Sequence, residues 1–163
     1  MAYDAFLKLT DVKGESQDDK HKGEIELLSF NFGVTQVGTS AHGSGMGHGK
    51  AELTDLHFVH HIDQSSPVLF QKCASGEHLK EGLLTVRKAG GTQLEYLKIK
   101  LSDLLVSSVQ PGGSGAENEE LPSEQVSLNF SKIEMDYQPQ GPDGKAQGGA
   151  IHGGWNVKAN VKA

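Results

Sequence analysis

Cysteine is almost missing from this 163-residue chain. Cys73 stands alone, so an internal disulfide is impossible and a reducing compartment of synthesis fits. Its expected role is that of a small buried hydrophobe. No apolar run approaches the ~18 residues that a membrane helix needs, which argues against membrane insertion. The N-terminus MAYDAFLKL carries Asp4 and has neither a basic leader nor a long apolar core, so no cleaved signal peptide is expected. A basic excess is lacking too: the formal net charge is −6, with the basic residues scattered among acids, which argues against a nucleic-acid partner. Aromatics make up only 6% of the chain while glycines number 21, a balance that points to many turns and long loops. The apolar share of 36% suits one globular domain over residues 1–163, long enough to bury a core.

What is present reads as strands. In Leu83–Gly115, Leu84 and Val86 alternate with Thr85 and Arg87, and Leu97, Ile99 and Leu101 alternate with Lys98, Lys100 and Ser102. A period of two marks strands with one buried face, and Gly90 and Gly91 between them predict a tight hairpin turn at positive φ. Ala5–Leu9 predicts a first strand, followed by a charged loop from Asp11 through Lys22. Glu24–Val37 predicts a second strand region with a change of parity: Ile25 and Leu27 share one face, whereas Leu28, Phe30, Phe32 and Val34 share the other. Val126–Tyr137 repeats the change, with Val126, Leu128 and Phe130 followed by Ile133, Met135 and Tyr137. Two explanations stay open for that strand: a bulge near Ser131, or one end in a barrel and the other at a second interface. Trp155, Val157, Ala159 and Val161 alternate with polar residues and predict a final strand with Trp155 in the interior.

One short helix, about Ser66–Ser75, is expected after Ser65-Ser66-Pro67. Ser66 is placed to cap it, Pro67 fits the first helical position, and Gly76 is placed to end it. Leu69 and Cys73 fall on one face. The fold class that follows is mainly β, a barrel or sandwich of packed sheet with one helical flank. Three long loops stand out: Gly38–Gly49, Pro111–Pro122 with its acidic Glu117, Glu119 and Glu120, and Pro139–Gly154. Their length suggests contacts beyond the subunit.

Candidate chemistry is sparse. His57, His60 and His61 cluster near Asp63, but a third ligand for a metal is not evident, and the histidines read as solvent-facing strand residues. His42 and His48 lie in the glycine-rich loop, where ordering a metal site is expensive. No Gly-x-Ser-x-Gly elbow occurs, and Gly43-x-Gly45-x-Gly47-x-Gly49 lacks the Lys-Ser/Thr of a phosphate loop. Neither a catalytic group, a metal site nor a cofactor is therefore expected, and the chain reads as a non-enzyme that works through shape and contact.

The wording of several segments goes further. Asp11-Val12-Lys13-Gly14-Glu15-Ser16, Ile62-Asp63-x-Ser65-Ser66-Pro67, Leu84-Thr85-x-Arg87-Lys88-Ala89-Gly90, Glu95-Tyr96-Leu97, Val106-Ser107-Ser108-Val109, Val126-x-Leu128-Asn129-Phe130, Asp136-Tyr137-x-Pro139-Gln140 and Gly154-Trp155-Asn156 resemble, in this order and spacing, the haemolysin-coregulated protein family, the tube subunit of type VI secretion. The resemblance implies a β-barrel of two packed sheets with one flanking helix. It also implies homohexameric rings that stack into a tube expelled by a contractile sheath, with sheath and tip (spike) proteins and small effector cargo in the lumen as partners. Localisation would be the bacterial cytoplasm, then the exterior or a target cell. By the same resemblance the loop after the second strand joins one ring to the next, which makes Thr39, Ser40, His42, Met46 and His48 the stacking candidates. Ser29 and Asn31 become candidates for the lumen wall, in a stretch where relatives often carry tryptophans and this chain has Phe30-Asn31-Phe32. Two other readings compete: a monomeric β-sandwich module for a glycan or peptide, and an enzyme whose zinc would depend on His57 and His61.

Overall fold

A computed structural model describes residues 2–36, 50–91, 93–115 and 121–163. In chain order its elements are β1 (Tyr3–Leu9), β2 (Ile25–Glu26), β3 (Ser29–Asn31), β4 (Val34–Thr35), β5 (Glu52–Leu53), β6 (Leu56–His61), α1 (Ser65–Ser75), β7 (Leu79–Lys88), β8 (Glu95–Gly112), β9 (Ser123–Tyr137), β10 (Ile151–Asn156) and β11 (Val161–Lys162). Nine strands form one antiparallel sheet in the order β11-β10-β9-β8-β7-β1-β2, with β6 on β9 and β3 on β6, while β4 and β5 make a separate ribbon. The mainly-β class with one short helix holds.

The sheet curls on itself because the inward residues of its longer strands are mostly apolar. Leu7, Ile25, Leu56, Leu84, Ile99, Leu101, Leu104 and Leu128 are fully buried, and Leu69 of α1 is fully buried with them. Each such side chain contributes roughly 1.5–3 kcal/mol through apolar burial. The parity change between Leu27 and Leu28 is where the chain changes partners. Leu27 N–H donates to Ala5 O on β1 at 2.9 Å, and the next residue, Leu28, donates to Val59 O on β6 at 2.8 Å. Leu27 is buried and Leu28 half-exposed. The expected single strand from Glu24 to Val37 is therefore three short pieces, β2, β3 and β4, that bridge the two ends of the curl.

β9 settles the second parity change differently from a bulge at Ser131. Its register with β8 is unbroken from Leu97↔Tyr137 to Val106↔Leu128. Yet the buried residues move from Leu101 to Leu104 on β8 and from Ile133 to Phe130 on β9, so both strands change faces together at Asp103 and Ser131. Asp103 has φ 52°, a left-handed conformation that aspartate tolerates better than most residues. Its carboxylate accepts from Lys158 Nζ at 2.7 Å and Ser131 Oγ at 2.7 Å, and contacts His78 Nδ1 at 2.9 Å. Those bonds, Lys158 first, hold the Asp103 carboxyl well below the usual carboxylate range. At this same point β9 changes its second partner, pairing with β6 over Ser123–Leu128 and with β10 over Lys132–Tyr137.

Outside the main core lies a second, smaller one. Phe6, Thr85 and Arg87 face away from Leu84 and Val86 but are buried all the same. The charged loop folds back over them, with Gly14 N donating to Gly23 O at 2.8 Å and Ser16 N to Glu24 O at 3.0 Å. The His21 ring stacks on Phe6 at 4.4 Å, and the Arg87 guanidinium lies over the same ring at 4.9 Å. Arg87 donates to Asp18 Oδ2 at 2.9 Å and to Asp4 Oδ2 at 3.3 Å. The guanidinium bond holds Asp18 below its ordinary range. His21 contacts Glu24 and Glu95 at 2.8 Å each. Burial works against ionisation of Glu95, but hydrogen bonds from His21 and Lys98 keep its carboxyl below the usual range.

Several expected details are corrected. The β7–β8 connection runs from Ala89 to Leu94, and of the two glycines only Gly90 has positive φ, 116°. The helix starts at Ser65, and Ser66 does not cap it from outside. Asp63 Oδ1 accepts from Ser65 N at 2.8 Å while Ser66 Oγ accepts from Asp63 N at 3.1 Å, a reciprocal capping pair centred three residues earlier than expected. Pro67 thus sits third in the helix, still within the first turn where its missing N–H costs nothing. Gly76 closes the helix in the left-handed conformation, φ 68°. Cys73 is half-buried against the core rather than enclosed by it. The C-terminal stretch is a hairpin, β10 turning through residues 157–160 into β11, because Asn160 takes φ 55°. Trp155 is accordingly half-buried, not interior.

Arg87→Met removes the cation from between two carboxylates. Asp4 keeps a third of its side chain exposed, so the expected loss is discounted to about 2–4 kcal/mol in urea unfolding. Trp155→Ala is expected to cost about 1–3 kcal/mol rather than the full value of a core tryptophan. The lowered folded values of Asp18 and Asp103 give stability that is complete above the unfolded carboxylate range and lost as pH falls through the folded values. Unfolding midpoints should therefore decline below about pH 4, and Asp18→Asn should flatten that decline.

Candidate functional site

The two lumen candidates lie on the solvent face of β3, and register brings partners beside them. Asn31 pairs with His57 on β6, His57 with Ser127 on β9, and Ser127 with Ser108 on β8. One row above, Ser29 pairs with Val59, Val59 with Gln125, and Gln125 with Gln110. These two cross-strand rows line a shallow groove of about 400 Å³. Ser29 and Asn31 are both exposed.

A bulge aims the β8 side chains into that groove. Val106 pairs with Leu128 but Ser108 pairs with Ser127, so Ser107 is the extra residue. Without it Ser108 would follow Leu104 and Val106 inward. Instead Val109 packs against the core, and Ser108 and Gln110 face out. Asp55 pins the bulge, accepting from Ser107 Oγ at 2.6 Å and from Asn129 Nδ2 at 2.9 Å. Within the groove, His57 Nδ1 and Ser127 Oγ are 2.7 Å apart, and Ser108 Oγ donates to Ser127 Oγ at 2.9 Å. The lining carries no carboxylate and no ammonium or guanidinium group. It offers hydrogen bonds from neutral groups, arranged as a wall.

The three clustered histidines do not share a surface. His57 and His61 are exposed, as expected, whereas His60 is 1% exposed and bonded through Nε2 to Glu124 Oε1 at 2.8 Å. Its Nδ1 lacks a hydrogen-bond partner, with Asp63 Oδ1 3.9 Å away. The solvent-facing expectation fails for His60, which shares the buried face of Leu56 and Phe58, and the pairing acid on a strand 64 positions away has no signature in the sequence. Among the described residues no three His, Cys, Asp or Glu side chains converge on one point, and no helix is long and apolar enough to cross a membrane.

A second surface is apolar. Val34 and Leu53 of the β4–β5 ribbon, with Phe32 just before it, face Met135, Ile151 and Trp155 of the β9–β10 sheet across a groove of about 370 Å³. Val34 and Ile151 are each more than 60% exposed, unusual for side chains with no polar atom. The groove is built where β9 has left the barrel. The stacking candidates Thr39, Ser40, His42, Met46 and His48 lie outside the described residues, between β4 and β5 in the chain.

Comparison with known proteins bears on this geometry. Residues 6–137 match the family described as "Type VI secretion system effector, Hcp". The chain is 48% identical over its whole length to the whole of protein hcp1 from Pseudomonas aeruginosa. The crystal structure of Hcp1 from Salmonella typhimurium is similar with a TM-score of 0.84 and 44% identity, covering 100% of both chains. A structure described as a type six secretion system protein gives a TM-score of 0.92 at 30% identity, covering 99% of this chain and 100% of that one. With two-thirds or more of the chain matched in each case, this protein belongs to the Hcp family of the type VI secretion system.

Proposed function

We propose that the chain is a structural tube subunit that forms six-membered rings, stacks them, is itself secreted and carries small effectors in the ring lumen. The observation that carries this reading is the exposed apolar groove between the β4–β5 ribbon and the β9–β10 sheet. A head-to-tail ring needs two different complementary surfaces on each subunit, and covering large exposed apolar side chains is what drives such contacts. The neutral polar rows through Ser29 and Asn31 form a distinct surface, suited to a wetted lumen wall that holds cargo by hydrogen bonds. The ribbon that borders the apolar groove also flanks Gly38–Gly49 in sequence. Sheath and tip proteins complete the set of partners. The bacterial cytoplasm is the site of assembly, and delivery to the exterior follows.

Light scattering on a sizing column tests the ring. Six copies of the 17.4 kDa chain give about 104 kDa, and negative-stain images of that peak should have open centres. Met135→Glu with Ile151→Glu is expected to shift the peak to the monomer while leaving circular dichroism unchanged. A monomeric wild-type protein over a wide concentration range contradicts the ring. Deleting Ala41 through His48 should keep the ring mass but reduce stacking and secretion, and normal secretion by that variant would remove the stacking role from the loop.

A further inference from the structure

Antiparallel register lays four side chains in a row near the Ala89–Leu94 turn. Tyr3 on β1 pairs with Lys88 on β7, Tyr96 follows near the start of β8, and its neighbour Leu97 pairs with Tyr137 on β9. With Gln140 they border a hollow of about 270 Å³. Gln140 is brought there because Gln138 N donates to Tyr96 O at 2.8 Å, which folds the following segment over the strand ends.

The row has features that packing alone does not explain. Tyr3 and Tyr137 are each nearly half exposed, in a chain with few aromatics to spare. Among the described residues, none of the three phenol hydroxyls, the Lys88 ammonium or the Gln140 amide side chain has a hydrogen-bond or ion-pair partner. The Tyr96 phenol is pushed above the ordinary tyrosine range, first by burial and then by the nearness of Tyr3 and Tyr137. Aromatic side chains with polar tips present an apolar face and a hydrogen-bonding edge at once. Lys88 adds one compact positive charge, without the planar fork that matches phosphate in two bonds.

We propose that Tyr3, Tyr96, Tyr137, Lys88 and Gln140 form a binding site for a short carboxylate-bearing oligosaccharide. The tyrosine faces take the apolar faces of the sugar rings, the phenols and Gln140 bond ring hydroxyls, and Lys88 pairs with the carboxylate. Tyr137 also lines the apolar groove beside the β4–β5 ribbon, so the site borders the surface proposed for the subunit contact.

Saturation-transfer NMR and calorimetry on the purified full chain, in whatever assembly state it adopts, test the site with a short oligogalacturonate and a neutral galactan of equal length. The acidic oligomer is expected to bind about tenfold more tightly than the neutral one. Lys88→Gln should abolish that preference, and Tyr3→Ala should weaken both sugars, with unfolding midpoints unchanged in each variant. Absence of saturation transfer from the acidic oligomer overturns the proposal, as does an undiminished preference in Lys88→Gln. Competition by sodium glutamate at equal concentration also overturns it, since that would make the hollow a simple anion site.

Discussion

The long ladder between β8 and β9, in one register from Leu97 to Val106, is the constraint on which this fold turns. Eighteen residues of β8 and fifteen of β9 stay in one long pairing that a single barrel wall could not accommodate. The ladder resolves this by changing its buried face at Asp103 and Ser131 without losing register. Asp103 absorbs the backbone cost in a left-handed conformation, and its three side-chain partners tie β7's start, β9 and the C-terminal turn to the same point. On one side of that point β9 belongs to the barrel through β6. On the other it belongs to an outlying sheet with β10 and β11.

Both proposed contact surfaces descend from this division. The barrel half carries the neutral polar rows, and the Ser107 bulge, held by Asp55, tunes which β8 side chains join them. The outlying half carries the exposed apolar residues, because strands that have left the barrel have no core to cover their second face. The Arg87 layer does a different task. It seals the outer face of β1 and β7 with ion pairs and a stacked ring, so that face needs no neighbour.

Much of this was legible from alternation. The strands around Leu84 and Ile99, the helix ended by Gly76, and both parity changes are written in apolar spacing, and the parity changes mark the two places where strands exchange partners. Burial of Arg87 and His21 was not legible, since their cover is a loop whose return depends on hydrogen bonds between distant backbone groups. The C-terminal alternation misled because Asn160 turns the chain, and positive φ at a non-glycine leaves no periodic trace. Ser29 and Asn31 were reached through family resemblance. Their companions His57, Ser108 and Ser127 follow only from cross-strand register, which a single sequence does not state.

In the proposed ring the two ends of β9 serve different neighbours. An electron-microscopy density map of the assembled protein tests it most directly. The expected map has a six-fold ring in which a neighbouring subunit covers Met135, Ile151 and Trp155 while Ser29 and Asn31 face the open centre. A ring that leaves the apolar groove in solvent, or that buries Ser29 and Asn31 against a neighbour, contradicts it.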